Sequence, residues 1–571
     1  MATVYEDLLA RFQAAVDALA PDVDPVLRPS EHGDYQVNGA MAIAKRLGTN
    51  PREIAQAIID ATDLQGVGRA EIAGPGFINV YLDGDFVNQH LSEQANDDRL
   101  GVAERESRTV VIDYSHPNVA KEMHVGHLRS TVIGDSLRRM KEFMGDVVIA
   151  RNHIGDWGTN FGMLIEHLVD VGEDEIVQAF SIGDLDGFYR QARQKFNEDP
   201  NFADRSRRRV VLLQAGDAET LALWSMLVRQ STAYFEEVYR KLDVRLKPDE
   251  VVGESAYNDQ LHAVLDDLKA AGLVVESEGA QCVFPPGFTK RDGEPLPLII
   301  QKSDEGFGYA ATDLAAVRNR VDVLGADDIY YVVGAPQAQH LEMVFATARM
   351  AGWLPDSVCC EHVPFGNVLG PDRKMFKSRE GGTVRLIALI DEAVERADEQ
   401  LAQRDPELDG DTRHALAYVI ARAALKYADL SNERQKDYVF DLDRMVSFEG
   451  DTGPYLCYAH ARIRSIFRRL SEPWMPETVS FTLAHPAERA LAMVTLRFPE
   501  ALDAASDQLA PHKLCAYLFE LAQAFTAFYE ACPVLKSEGA TRQERLALCD
   551  LVAKTLSLGL DLLGITAPER M

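Results

Sequence analysis

Three rhythms of apolar and polar residues divide this chain. The first hundred residues begin with a helical segment, followed by a turn at Gly33-Asp34-Tyr35 and apolar residues at helical spacing from Val37 through Leu47. In the next segment, Asn50 to Ala61, Asn50 reads as an N-cap and Pro51 as the first helical residue. The stretch Glu71 to Leu82 contains a Gly-Pro-Gly turn and then alternates, the period of a strand. An N-terminal α+β domain over residues 1–103 is the expectation.

From Arg108 the rhythm changes to short, β-branched apolar runs between helical stretches. Candidate strands are Thr109 to Tyr114, Asp146 to Asn152, Leu296 to Lys302, Asp327 to Gly334 and the run leading into His362. Continuous apolar strands alternating with helices predict a parallel sheet buried on both faces, an α/β core over residues 104–390. The second and third candidates lie far apart, so a mainly helical insertion at about 168–292 splits that core. After Thr383 the strand signals fade. A helical connector over 391–440 and an all-α bundle over 441–571 follow, and the segment from Lys513 to Leu535 is apolar over most of its circumference, as in a helix enclosed by others.

Composition narrows the class. The 571 residues are 46% hydrophobic and 26% charged, which excludes a wholly disordered chain. No apolar run approaches the ~20 residues that span a bilayer, and the first residues carry acids rather than a basic leader, so no membrane association is expected. Seven cysteines without a CxxC pair read as reduced thiols of a cytoplasmic protein; Cys359 and Cys360, adjacent in a strand run, read as packing residues on opposite faces. No zinc ligand set is present. The formal net charge of −30 argues against a polyanionic partner, yet residues 441–571 hold 13 Lys plus Arg against 17 Asp plus Glu and include the cluster Arg462, Arg464, Arg468, Arg469. A solvated helix face and a local polyanion site both fit that cluster.

Two segments carry chemistry. Behind the first strand, Ser115 to Leu137 contains His124-Val125-Gly126-His127 at a helix start. Unpaired amides and the positive end of the helix dipole favour phosphate oxygens there, two imidazoles add donors, and Gly126 lets a nucleotide approach the backbone. About 250 residues later, Lys374-Met375-Phe376-Lys377-Ser378 precedes Arg379 and a Gly381-Gly382 turn. Two ammonium groups and a hydroxyl on such a loop can follow the charge of a departing pyrophosphate. Taken singly, an ordinary helix-start histidine pair explains the first segment equally well, and a solvated KxxK explains the second better.

Together, and in this order across a split sheet, HVGH and KMFKS resemble the HIGH and KMSKS signatures of class I aminoacyl-tRNA synthetases. Beyond the signatures, the segments SHPNVAKEMHVGHLRST, GDWGTNFG, YAATDLA and MVSFEGDTGPYLCYAHAR, and the ending LLGITAPERM, resemble the arginyl-tRNA synthetase family over nearly the whole length. The resemblance implies a Rossmann-like catalytic core and a helical anticodon-binding domain. The N-terminal domain would touch the tRNA elbow. The implied reaction has two steps: arginyl-adenylate forms from arginine and ATP, pyrophosphate leaves, and the arginyl group passes to the 2′-hydroxyl of the terminal adenosine of tRNA(Arg).

The resemblance also implies residue roles. His124, His127, Lys374 and Lys377 would be catalytic, and ATP would lie against His124, Gly126, His127, Lys374, Met375, Lys377 and Ser378, accompanied by Mg²⁺ but without a permanent metal site. Arginine would be held by Asp113, Asn118, Tyr309, Asp313 and Gln337, with Asp313 as the guanidinium partner. Tyr455, Tyr458, Arg462, Arg468, Phe525 and Tyr529 are candidates for tRNA contact, and the enzyme would act as a monomer in the cytoplasm. Phe376 replaces the middle serine of KMSKS, His116 stands where a serine is expected, and Gly334 and Pro336 alter a DARQ-type segment in which Gln337 and His340 remain. Another synthetase of the same fold, a small adenylating ligase and a non-catalytic tRNA-binding relative are the competing readings.

Overall fold

The computed structural model describes residues 2–172, 185–376, 384–475 and 478–571. The N-terminal domain packs helices Val4–Leu19, Ala40–Leu47 and Pro51–Ala61 against a four-stranded antiparallel sheet, in the order Leu27–Pro29, Tyr35–Val37, Phe77–Leu82, Gly68–Ala73. Asn50 caps its helix as its sequence context requires, accepting the amide of Arg52 at 2.9 Å. Two details differ from the expectation. Val37 lies in a strand, because the helical pattern starts only at Ala40. Glu71 to Leu82 is half of one arm, the turn and all of the other arm of a hairpin rather than one strand.

The catalytic sheet has four parallel strands in the order Cys359–His362, Asp328–Tyr331, Thr109–Asp113, Val147–Arg151. Val110 and Ile112 enter one apolar core and Val111 the other, so the central strand is covered on both faces. One core runs through the N-terminal domain, the helix Val125–Met144 and the C-terminal bundle. The other is built from the helices Leu261–Ala270, Tyr309–Asp322 and Ala338–Met350. The strand expected at Leu296 to Lys302 does not join this sheet. Leu298–Gln301 pairs antiparallel with Ala280–Val283 in a separate three-stranded sheet, and its alternate burial, with Ile299 exposed, is that of a strand covered on one face only.

The long helix Ala218–Leu242 buttresses the loop after the first catalytic strand. Its Tyr239 hydroxyl lies 2.8 Å from Ser115 Oγ, and its Ser231 hydroxyl accepts the amide of Ala120 at 2.9 Å. The C-terminal bundle packs on helix Val125–Met144. Helix Pro511–Ala531 is its apolar centre, between Pro486–Thr495, Phe498–Asp507 and Gly539–Leu562. At the junction the buried Lys426 ammonium donates to the carbonyls of Asp243 (2.9 Å) and Gly564 (2.6 Å), beside an Asp135–Arg139 pair on helix Val125–Met144. Burial pushes the Lys426 pKa down to about 8. The N-terminal domain is fastened to the bundle by Arg489, which pairs with Asp34 at 2.8 Å and donates to the carbonyl of Leu82. Among the described residues no helix is long and apolar enough to cross a membrane.

Candidate active site

Helix Val125–Met144 starts at the end of the loop behind strand Thr109–Asp113, fixed by Leu128, Val132, Leu137 and Met140 in the core. His124 is its N-cap. The ring Nδ1 of His124 accepts the amide of Gly126 at 3.0 Å, and the His124 amide donates to Nδ1 of His127 at 3.0 Å. Two amides expected to meet phosphate are therefore occupied by imidazoles. This corrects the helix-start reading in a useful way, because a neutral imidazole that accepts at Nδ1 carries its proton on Nε2. Burial, together with His124 nearby, lowers the His127 pKa to about 3, so that ring is neutral. A side chain at position 126 would sit 2.9 Å from the His124 ring, so glycine lets that ring keep its capping position.

The second signature lies on a tight turn. Strand Val368–Leu369 pairs with Tyr438–Val439; Gly370 donates to the carbonyl of Lys374 at 2.7 Å, and Phe376 to that of Val368 at 3.1 Å. Lys374 and Met375 are exposed on this turn. The Phe376 ring packs 4.8 Å from Phe440, so the residue that departs from KMSKS anchors the turn from below. Lys377 and Ser378 lie outside the described residues. Beyond them the chain returns to the first signature: Leu386 donates to the carbonyl of Met123 at 2.8 Å, Arg385 bridges His124 through the backbone, and its side chain pairs with buried Glu122 at 2.7 Å.

A second, acidic cluster adjoins this one. Tyr309 and Asp313 occupy the first turns of helix Tyr309–Asp322; Tyr309 is 70% exposed, and Asp313 lies 2.6 Å from Nε2 of His340. Glu254, half-buried, has its pKa pushed up to about 8 by desolvation and by the charges of Asp156 and Asp313. Asp156, in the GDWG segment, is buried and accepts from the amide and hydroxyl of Ser255 at 2.9 and 2.6 Å. Asn118 pairs through its backbone with Gly155, where a Cβ would lie 2.2 Å from the Asn118 side-chain oxygen. Gln337 is exposed at the N-terminus of helix Ala338–Met350.

Asp113 is placed differently from the other expected arginine contacts. It is 1% exposed, pairs with the fully buried Arg320, and has its second oxygen 3.4 Å from His116 Nε2 and 3.3 Å from the His153 amide. Arg320 also stacks 4.4 Å over the Tyr331 ring. Despite complete burial, the Arg320 guanidinium and the nearby histidines hold the Asp113 pKa below its ordinary value. Glu254, Asp156 and Arg320 carried no signal of their own in the sequence. Of the three, only Asp156 stood in a segment singled out there.

The candidates for tRNA contact lie far along the bundle. Arg462 stacks 4.5 Å over Tyr529, which neighbours Phe525 at 5.8 Å; Tyr455 packs against Phe519, Tyr458 lies under Arg404, and Arg468 donates to the carbonyl of Glu569. Phe525 is core, whereas Tyr455, Tyr458, Arg462 and Tyr529 are half-buried and Arg468 is exposed. Among the described residues no group of three His, Cys, Asp or Glu side chains is placed to hold a metal ion.

Comparison with known proteins covers the whole chain. The catalytic domain of tRNA synthetases class I (R) matches residues 87–442, the DALR anticodon binding domain residues 456–571, and the arginyl tRNA synthetase N terminal domain residues 6–82. The chain is 54% identical to the arginine–tRNA ligase of Thermobifida fusca, with 100% of both chains covered, and 50% identical to that of Frankia casuarinae, with 98% of this chain and 97% of the relative covered. Among solved structures, the arginyl-tRNA synthetase of Plasmodium falciparum superposes with a TM-score of 0.86 at 31% identity over 100% of both chains. That of Thermus thermophilus superposes with 0.83 at 26% identity over 99% of each.

Proposed function

The chain belongs to the class I arginyl-tRNA synthetases, enzymes that attach arginine to tRNA, and on that premise we propose how its residues divide the work. The two Nε2–H groups of His124 and His127 meet phosphate oxygens of ATP. Lys374 and Lys377, with Ser378, stabilise the β- and γ-phosphates as they leave. The arginine carboxylate attacks the α-phosphorus, the bond from that phosphorus to the bridging oxygen breaks, and pyrophosphate departs with the bonding electrons. No protein nucleophile takes part, so positioning and charge stabilisation supply the catalysis. In the second step the 2′-hydroxyl of the terminal adenosine attacks the arginyl carbonyl, AMP leaves, and arginyl-tRNA is formed.

The acidic cluster suits the substrate side chain. A guanidinium offers five donors in a plane; Asp313 supplies an acceptor, and Glu254, kept protonated near neutrality by burial and the neighbouring acids, becomes a second one on giving up its proton as the cation arrives. Tyr309 bounds this pocket, while Asn118 and Gln337 take the α-amino end. Asp113, already neutralised by Arg320, supports the pocket floor in place of the ligand role expected of it. Mg²⁺ enters with the triphosphate, because imidazoles and amines do not form the oxygen cage that ion prefers. Tyr455, Arg462, Arg468 and Tyr529 are the surface proposed for the anticodon arm, through stacking and phosphate contacts.

The observation that supports this reading most is the return of Arg385 and Leu386, a few residues beyond the second signature, onto the backbone of Met123 and His124 in the first. Exchange of pyrophosphate into ATP, run with each amino acid in the presence and absence of tRNA, tests it. Exchange restricted to arginine and stimulated by tRNA is expected. Exchange with another amino acid instead would overturn the pocket assignment.

A further inference from the structure

A carboxylate on the first turns of a helix rotates freely unless something holds it, and Asp313 has two further acids, Glu254 and Asp156, acting on the same pocket. One side chain does hold it. His340 stands in the first turn of helix Ala338–Met350, which packs on helix Tyr309–Asp322, and its Nε2 lies 2.6 Å from one oxygen of Asp313. We infer that His340 is a positioning residue for arginine recognition, whose Nε2–H fixes one oxygen of Asp313 so that the other faces the incoming guanidinium.

The direction of the bond follows from the chemistry of the pair. An ionised carboxylate only accepts, so the shared proton belongs to the imidazole. The carboxylate in turn raises the His340 pKa above the ordinary histidine value, as a bound acceptor should. A histidine used only for packing would not need its ring nitrogen at hydrogen-bond distance from the one acid that faces both Tyr309 and Glu254. With 34% of its side chain exposed, His340 can also be replaced without opening a core. The inference rests on the reading of Asp313 as a guanidinium partner, and it adds that the partner works only when held.

Arginine KM, ATP KM and kcat measured in the exchange reaction with tRNA present provide the test. His340→Ala should raise arginine KM about tenfold, the equivalent of one net hydrogen bond, with ATP KM and kcat within about twofold of the parent. Gln carries its amide nitrogen about as far from the backbone as Nε2, whereas Asn falls short. His340→Gln should therefore restore arginine KM to near the parent value, and His340→Asn should not. Asp313→Asn alone should raise arginine KM, and adding His340→Ala to it should do no further harm. If Asp313→Asn leaves arginine KM unchanged, the reading of Asp313 fails. If Asp313→Asn raises it but His340→Ala does not, or if the two effects simply multiply, the role assigned to His340 fails.

Discussion

If arginine docks against Glu254 as proposed, its binding should release a proton. In the empty pocket its pKa is about 8, so at pH 7 roughly 0.9 of a proton sits on the carboxyl. A guanidinium at that site needs the ionised form. Removing the proton at pH 7 costs one pKa unit, about 1.4 kcal/mol, against a charge-assisted hydrogen bond worth ~1.5–3 kcal/mol. The sign follows: below pH 8 arginine affinity should fall by up to about tenfold for each pH unit, and it should level off as pH rises through 8. Glu254→Gln removes both the cost and most of the gain. Its arginine Kd should be ~10-fold weaker at pH 7 and approach ~100-fold weaker above pH 8. Isothermal titration calorimetry at pH 7 in two buffers of different ionisation enthalpy counts the protons released. Close to one proton in the parent and markedly fewer in Glu254→Gln are expected. Equal release in the two proteins, or no pH dependence of affinity in the parent, would refute the argument.

His127→Ala should remove ~2–4 kcal/mol of transition-state stabilisation, the range for one positioned donor, read as a loss in kcat of exchange with arginine KM little altered. Gly126→Ala places a Cβ 2.9 Å from the His124 ring and must displace it; a drop in kcat with an unchanged melting temperature is the expected signature. Asp113→Asn leaves the Arg320 charge buried and unmatched, which should cost ~3–5 kcal/mol of folding stability, measured by urea denaturation.

How much of this was legible beforehand depended on distance along the chain. Strands such as Asp328–Tyr331 declared themselves because burial on both faces demands an unbroken apolar run. Leu298–Gln301 looked the same over its few residues, since a short run cannot tell a central parallel strand from one covered on one face. The two signatures and the Tyr309, Asp313 pair were readable as local patterns. The Asp113–Arg320 pair was not legible because its two members lie more than two hundred residues apart. Glu254 was missed because nothing near it in sequence distinguishes it from any surface glutamate; only folding brings Asp156 and Asp313 to bear on it. The capping of the His124 ring by the Gly126 amide and of the His127 ring by the His124 amide, which sets their tautomers, is likewise a property of three dimensions.

The carbonyl of Gly564 rests on Lys426, in contact with the helix that begins at His124. Without that contact a buried ammonium, Asp135 and Arg139 would be open to water, and the helix behind both imidazoles would lose this support. Damage at this remote socket would therefore reach the two imidazoles along a shared helix rather than by direct contact.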